Sequence, residues 1–314
     1  MTEILSILPY RYRISGLNIA SDFALPARYA LDPAGGFPVD VRFHRGDVPE
    51  RLERPTHMGP TWMVEGNRFL LHLPDVCRIF SVNGRGVTLS PAPFHPIEDT
   101  LVFVTGTGLA AILYQRGAML LHASAVVHEG RAFIFCAQSG AGKSTLAATL
   151  NQAGCGFLAD DVCAIGQADD GYPLIQSDGR SLRLFADSIG QIGLKAAVGS
   201  RVRLRVEKFH VSPAPKPVEM GDGVPLAGVY ILADSNAAFP PGITPISPLV
   251  AAQVLLNQTY RRRLALAYSS QGQLAMRTAG LLSHVPVFHL HRPRDFARLD
   301  ETVNRLFTHW NSLL

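Results

Sequence analysis

The stretch Phe133-Ile134-Phe135-Cys136-Ala137-Gln138-Ser139-Gly140-Ala141-Gly142-Lys143-Ser144-Thr145 decides how this chain is read. Four apolar residues with the look of a buried strand run into a glycine-rich bend. The bend runs into a helical pattern from Lys143 to Gln152. The spacing matches the phosphate-binding pattern G-x-x-x-x-G-K-[ST], with Ala137 in place of the first glycine. Glycines let the backbone curl so that its N–H groups converge on a polyphosphate. The following helix N-terminus adds partial positive charge. The pattern predicts that Ser139, Gly140, Ala141, Gly142, Lys143, Ser144 and Thr145 hold ATP. Lys143 would reach the β- and γ-phosphates, and the Ser144 hydroxyl would bind Mg2+.

Working outward, strands are predicted at Met119–Val127 and Ala132–Cys136 before the loop, and over 156–165 after its helix. Strand, loop, helix, strand is the signature of an α/β layer. The last of these strands carries Ala159-Asp160-Asp161 near its start. A strand returning beside the first would bring this pair to the phosphates. Two adjacent carboxylates can then divide the work, one taking a proton from a hydroxyl and the other helping to hold Mg2+. The competing reading is a solvated turn, where aspartate is common; the apolar Phe157 and Leu158 argue against it. His122 lies in an otherwise apolar stretch, Leu120-Leu121-His122-Ala123-Ser124, and reads either as a core histidine bonded to backbone or as a site residue.

Taken in order and with their gaps, Leu121-His122-Ala123-Ser124, the loop 139–144 and Ala159-Asp160-Asp161 resemble the catalytic core of the HPr kinase/phosphorylase family. Within it, the pattern is most similar to the HPr-kinase-like proteins found with ribosomally made peptides of the lasso type. Ser181–Asp187 and Pro225–Leu232 share that second likeness. The resemblance covers roughly residues 100–300 and implies a P-loop layer on a mixed sheet flanked by helices, related to the carboxykinases. It implies Asp160 as the base for a substrate serine, Asp161 as an aid to the metal beside Ser144, and His122 close to the reacting phosphate. The acceptor it implies is a serine on a peptide or protein, with a lasso-type precursor as the peptide its second likeness points to. Two departures stand out. Thr145 follows the loop where the family often has glutamate, and the family's later metal-binding glutamate has no counterpart. Asp178 and Asp187 are the nearest substitutes.

The rest of the chain sets the frame. Its 314 residues are 47% hydrophobic and 17% charged, enough apolar material for a sizeable core and too much for a disordered chain. Alternation at Tyr10–Ile14 and Val39–Phe43, and a hairpin around Asn83-Gly84, make residues 1–98 a smaller β-rich part, a candidate module for recognising substrate or partner. The proline-rich 90–96 reads as the boundary before the catalytic part, 99–314. Helices are predicted at 99–115, 248–268 and 294–313, with strands near 202–211, 226–233 and 285–291. Leu101–Tyr114 is too short and too interrupted for a membrane span, so it reads as a buried helix.

The start Met1–Leu5 is unlike a secretory leader, and the four cysteines show no paired spacing, so the expected location is cytoplasmic with reduced thiols. A net charge of +4 without a stacking or zinc motif gives no support to nucleic acid. The basic run Arg180, Arg183, Lys195, Arg201, Arg203, Arg205 and Lys208 reads as a solvated strand face or as a surface for acidic groups, with Arg183 as the candidate phosphate or substrate contact. His289 and His291 share one strand face but lack a third ligand. Self-association is also open. Three functional classes compete: a serine kinase, a nucleotide-binding regulator or assembly factor that catalyses nothing, and a small-molecule phosphotransferase. The acid pair favours the catalytic readings, because a mere binder has little need of a base.

Overall fold

The computed structural model describes residues 8–25, 30–32, 36–203, 206–212 and 223–313. The Met1–Leu5 start and Arg205 lie outside the described residues. The chain folds as mixed α/β with three sheets. The first is built from β1 (Tyr10–Ile14), β2 (Leu17–Ser21), β3 (Val41–Arg45), β4 (His57–Met58), β5 (Trp62–Glu65), β6 (Arg68–Leu73), β7 (Cys77–Val82) and β8 (Gly86–Pro91), in the order β1-β2-β3-β8-β7-β6-β5-β4. The β7–β8 turn spans residues 83–85, and its Asn83 and Gly84 take φ of 53° and 64°, left-handed values that asparagine and glycine adopt most readily. The strand continues through Ser90 to Pro91, so the proline-rich segment begins to leave the sheet two residues later than its composition suggests.

An apolar helix follows: α1 (Ile97–Phe103), a π-helical turn over Val104–Gly108, and α2 (Leu109–Gln115). The predicted uninterrupted helix over 99–115 is therefore broken in register. The break lies where Thr105-Gly106-Thr107-Gly108 packs on the first sheet: Ser81 Oγ donates to the Gly108 carbonyl, and a Cβ at Gly108 would stand 3.2 Å from Ile79. Among the described residues this is the one helix long and apolar enough to cross a membrane. Its inner residues, Val104 and Leu109–Tyr114, are buried in a core with Phe43, Phe69 and Ile79 of the first sheet.

The second sheet carries the site. Its strands are β9 (Met119–Leu121), β10 (Ala123–His128), β11 (Arg131–Cys136), β12 (Gly156–Ala159), β13 (Cys163–Gln167) and β14 (Pro173–Ile175), joined by three later ones. Helix α3 (Lys143–Gln152) connects β11 to β12. A small third sheet has β15 (Leu182–Phe185) paired to β17 (Val206–Val211), which pairs to β16 (Val198–Arg203), with α4 (Ala186–Gln191) between β15 and β16. Then come β18 (Val224–Asp234), β19 (Gly242–Pro245), α5 (Pro248–Asn257), α6 (Arg262–Tyr268), α7 (Gln271–Leu282), β20 (Val287–Arg292) and α8 (Leu299–Trp310).

The second sheet runs β12-β10-β11-β18-β14-β13-β9, with β20 between β18 and β19. Strands β11, β18 and β20 are mutually parallel. Phe133, Phe135 and Tyr230 on one face pack with α3 and α8, whose Trp310 stacks on Phe133 at 4.1 Å. Ile134 and Val229 on the other face pack with Leu255 of α5 and Leu281 of α7. Every second side chain of these strands thus meets a helix layer, which is why β11 reads as a continuous apolar run.

Several predicted elements are corrected. The strand over 119–127 is split at His122 and that over 156–165 at Asp160-Asp161, so the acid pair ends β12 rather than opening a strand. Strand β12 lies beside β10, not beside β11. The helix over 248–268 is two helices, parted where Tyr260 N–H donates to the Leu120 carbonyl and Arg261 takes a left-handed φ of 45°. The last helix begins at Leu299, because Pro293 and the turn at Phe296–Arg298 precede it. The final strand begins at Val287, and α7 is an element the pattern did not reveal.

Candidate active site

The phosphate loop leaves the carboxyl end of β11, the edge where parallel strands of an α/β sheet present their ligands. Gly140 and Gly142 take φ of 80° and 84°, which side chains with a Cβ rarely adopt. Gly142 caps α3 and does so with no side-chain hydrogen bond, and no acid occupies the helix's first turn. That turn, which lines the cavity, thus has neither a side-chain cap nor a neighbouring acid to offset its N–H groups, the condition for binding an anion. Lys143 is buried and folds back on the loop, donating to the carbonyls of Ala137 at 2.8 Å and Gln138 at 3.2 Å. Burial lowers its pKa, and the charges of Asp160 and Asp161 work against that fall.

A cavity of about 380 Å3 opens over the loop. Every site residue singled out from the sequence lines it: the loop from Ser139 to Thr145, the acid pair, His122 and Arg183. Asp160 is 2% exposed. Its Oδ1 accepts from the hydroxyls of Ser144 and Ser124, each at 2.7 Å, and its Oδ2 accepts from the Arg183 backbone N–H at 3.2 Å. The loop serine and the first carboxylate are thus already joined.

Asp161 turns the other way. Its φ of 75° is rare for a residue with a Cβ and swings the side chain into the cavity. There Arg183 donates to Oδ2 at 2.7 Å, and His122 Nε2 lies 3.4 Å from Oδ1. Burial alone would push this carboxyl's pKa up. The His122 hydrogen bond and the Arg183 and Arg180 guanidiniums outweigh burial and hold it far below the usual range. His122 is placed by a break in pairing: its backbone N–H donates to Gln258 between α5 and α6 rather than to a neighbouring strand. Its ring meets Tyr260 edge-on at 6.2 Å.

Of the two substitutes for the missing glutamate, Asp187 lines the cavity. Asp178 does not. It is 1% exposed and bound to Arg180 at 2.6 Å, and Arg180 in turn donates to the Thr105 carbonyl in the π turn. The basic run is accordingly no uniform face. Arg180 is buried, Arg183 and Lys208 line the cavity, and Arg201 pairs with Glu207 at 3.2 Å. His289 and His291 lie 5.4 Å apart on β20, and among the described residues no group of three or more His, Cys, Asp or Glu side chains gathers as a metal site.

Sequence reasoning missed the opposite wall. Arg292 ends β20 and donates to the Ala141 carbonyl at 2.7 Å; Arg294 follows and donates to the Gly140 carbonyl at 2.8 Å. Arg292 approaches so closely that a Cβ at Gly142 would stand 2.6 Å from its guanidinium. The signal was His291-Arg292-Pro293-Arg294, a basic pair at the carboxyl end of a strand parallel to β11. Ser124, which shares Asp160 with Ser144, was also unassigned.

No family model matches the sequence, and no curated protein matches it. Solved structures similar to this chain include the HPr(Ser) kinase/phosphatase from Coxiella burnetii, at 13% identity, covering 62% of this chain and 92% of that one, with a TM-score of 0.31. A likeness of that degree leaves the chemistry to be read from the cavity.

Proposed function

We propose that this protein is an ATP- and Mg2+-dependent phosphotransferase that modifies a serine hydroxyl on a peptide or protein. The observation that carries the reading is one juxtaposition. The uncapped start of α3 with Lys143 shares a cavity with Asp160, which is bonded to Ser144, and with Asp161, which is bonded to Arg183. A phosphate cradle alone would need neither carboxylate.

The donor set suits both groups. Ser144 Oγ and the Asp161 carboxylate are hard oxygen donors, and Mg2+ is commonly held by one or two carboxylates together with substrate phosphates. The loop N–H groups, Lys143, Arg292 and Arg294 supply donors and positive charge for a triphosphate. When bound, Mg2+ neutralises charge on the transferring phosphoryl group.

The two carboxylates divide the work by their surroundings. Asp161, kept ionised by Arg183 and His122, is a poor proton acceptor and a good partner for a cation. Asp160 is bonded only to neutral donors, two serine hydroxyls and the Arg183 backbone N–H, so it is the carboxylate that would take the acceptor's proton as the serine oxygen bonds the γ-phosphorus, the bond from that phosphorus to the β-phosphate oxygen breaks and ADP leaves. Lys143 screens the charge that develops, and Arg183 keeps Asp161 turned toward the cavity. The sequence resemblance supports a peptide acceptor of the lasso-precursor kind, and the β-rich character of residues 1–98 with the proline-rich 90–96 behind them is what supports a recognition role for that part.

The test is to incubate the protein with ATP, Mg2+ and serine-containing peptides and to look for the mass of one phosphoryl group on the peptide. Transfer that requires both Lys143 and Asp160 supports the reading. Tight nucleotide binding with no transfer to peptide or small hydroxyl acceptors would make the protein a nucleotide-dependent regulator instead.

A further inference from the structure

Phe185 and Phe296 are large apolar side chains left 47% and 39% exposed, and both line the cavity over the phosphate loop. Neither position is accidental to the cavity's shape. On β15, Leu182 and Leu184 are buried in the core at 0% and 1% exposure, which sends Arg183 and Phe185 to the opposite face. Residues two apart on a strand are separated by about 7 Å. The strand therefore presents a charged group bonded to Asp161 and, one step further out, an aromatic ring.

The chain from the end of β20 repeats that order. Arg292 and Arg294 grip the loop carbonyls, and Phe296 follows in the short turn before α8. Thr145, in the first turn of α3, hydrogen-bonds Ser188 of α4 at 3.3 Å, and both line the same cavity. Lys208 lies 5.3 Å from the centre of the Phe185 ring, opposite it in the β15–β17 register.

We propose that Phe185 and Phe296 are the aromatic walls of a nucleobase site in the cavity over the phosphate loop. The inference rests on the reading of the loop as a nucleotide phosphate site and deepens it. A base attached to a triphosphate seated on α3 is a flat ring at the outer end of a charged tail. Exposed phenyl rings in a polar cavity match that ring, and the arginines and lysine inside them match the tail. Base–aromatic stacking needs only a π-face and tolerates different bases.

The experiment measures equilibrium binding of Mg2+-ATP and of Mg2+-tripolyphosphate, which has the tail without the base, to the full chain and to Phe185→Leu, Phe296→Leu and Phe185→Tyr. Both phenylalanines are exposed, so the variants keep the fold. Each leucine variant is expected to weaken ATP by about 5- to 100-fold, as loss of one aromatic from a base stack does, while tripolyphosphate stays within about twofold and tyrosine restores ATP binding. Unchanged ATP affinity in both leucine variants overturns the inference. So does a parallel loss of ATP and tripolyphosphate, or a rise in the acceptor's KM with ATP affinity intact, which would give the rings to the acceptor. A wild-type protein that binds tripolyphosphate but not ATP refutes the base site alone; one that binds neither refutes the phosphate cradle and the base site with it.

Discussion

Replacing Asp160 with asparagine separates binding from chemistry. The wild-type carboxylate satisfies three donors, two serine hydroxyls on Oδ1 and the Arg183 N–H on Oδ2. Asparagine keeps one acceptor oxygen. If that oxygen stays with the two hydroxyls, which can rotate, the new amide NH2 faces the Arg183 N–H, donor against donor, at a site 2% exposed. One buried unsatisfied group costs about 1–3 kcal/mol, and that is the expected loss in urea-denaturation stability. The nucleotide site keeps Lys143, the helix start and both arginines, so ATP affinity should change little. Transfer to the acceptor should fall by about 10²–10⁴-fold, the usual contribution of a general base. The assay pairs calorimetric ATP binding with timed transfer of labelled γ-phosphate, for Asp160→Asn and Asp161→Asn together. Transfer by Asp160→Asn within about threefold of wild type, far short of a base's contribution, would refute the assignment. A large loss confined to Asp161→Asn would hand the proton to Asp161.

Three further outcomes follow from buried groups. Asp178→Ala should destabilise the protein by about 3–5 kcal/mol in urea denaturation, because it strands the buried Arg180 guanidinium without its partner; a loss under about 1 kcal/mol would contradict that role. Burial, then Arg183 and Arg180, hold the His210 imidazole down to about 4. The unfolded chain therefore takes a proton at this residue near pH 6.5 while the folded one does not. The stability at stake is full above pH 6.5 and is lost as pH falls toward 4. His210→Gln should remove on the order of 1–2 kcal/mol of that loss, allowing for partial exposure, and parallel stability–pH curves for the two proteins would count against it. All four cysteines are buried thiols outside any disulfide, and burial pushes those of Cys77 and Cys136 up to about 12. A thiol reagent at pH 8 should find none of them in the native protein within minutes and all four after denaturation.

The sequence discloses what is local. Helix α3 is Lys143–Gln152 as its pattern predicts, since glycine before and apolar spacing within are both short-range signals. Strand β1 and the β7–β8 hairpin are legible for the same reason. The breaks are not. Leu120-Leu121-His122-Ala123 reads as one strand because the Gln258 carbonyl that takes the His122 N–H lies far away in the chain, and so does the carbonyl of Leu120 that parts α5 from α6 by accepting from Tyr260. The π turn in the first helix answers to packing against Ile79 and Val87.

The site divides the same way. Lys143, Ser144 and the acid pair are readable by motif. Arg292 and Arg294 reach the loop from about 150 positions downstream, and only the parallel pairing of β11, β18 and β20 brings them there. Ser124 is visible as a residue, yet its purpose appears only when β10 is seen lying beside β12.

Lys143 is the side chain on which nucleotide binding at this loop depends most directly. In Lys143→Ala the bonds to the Ala137 and Gln138 carbonyls are lost, so the unliganded melting temperature should fall. The increment that Mg2+-ATP adds is therefore the quantity to compare. At a hundredfold excess over its Kd, Mg2+-ATP should stabilise the wild-type protein by about 2.7 kcal/mol. The same concentration should add nothing measurable to Lys143→Ala. An equal increment in the two proteins would show that ATP does not bind through this loop, and the central claim would fall.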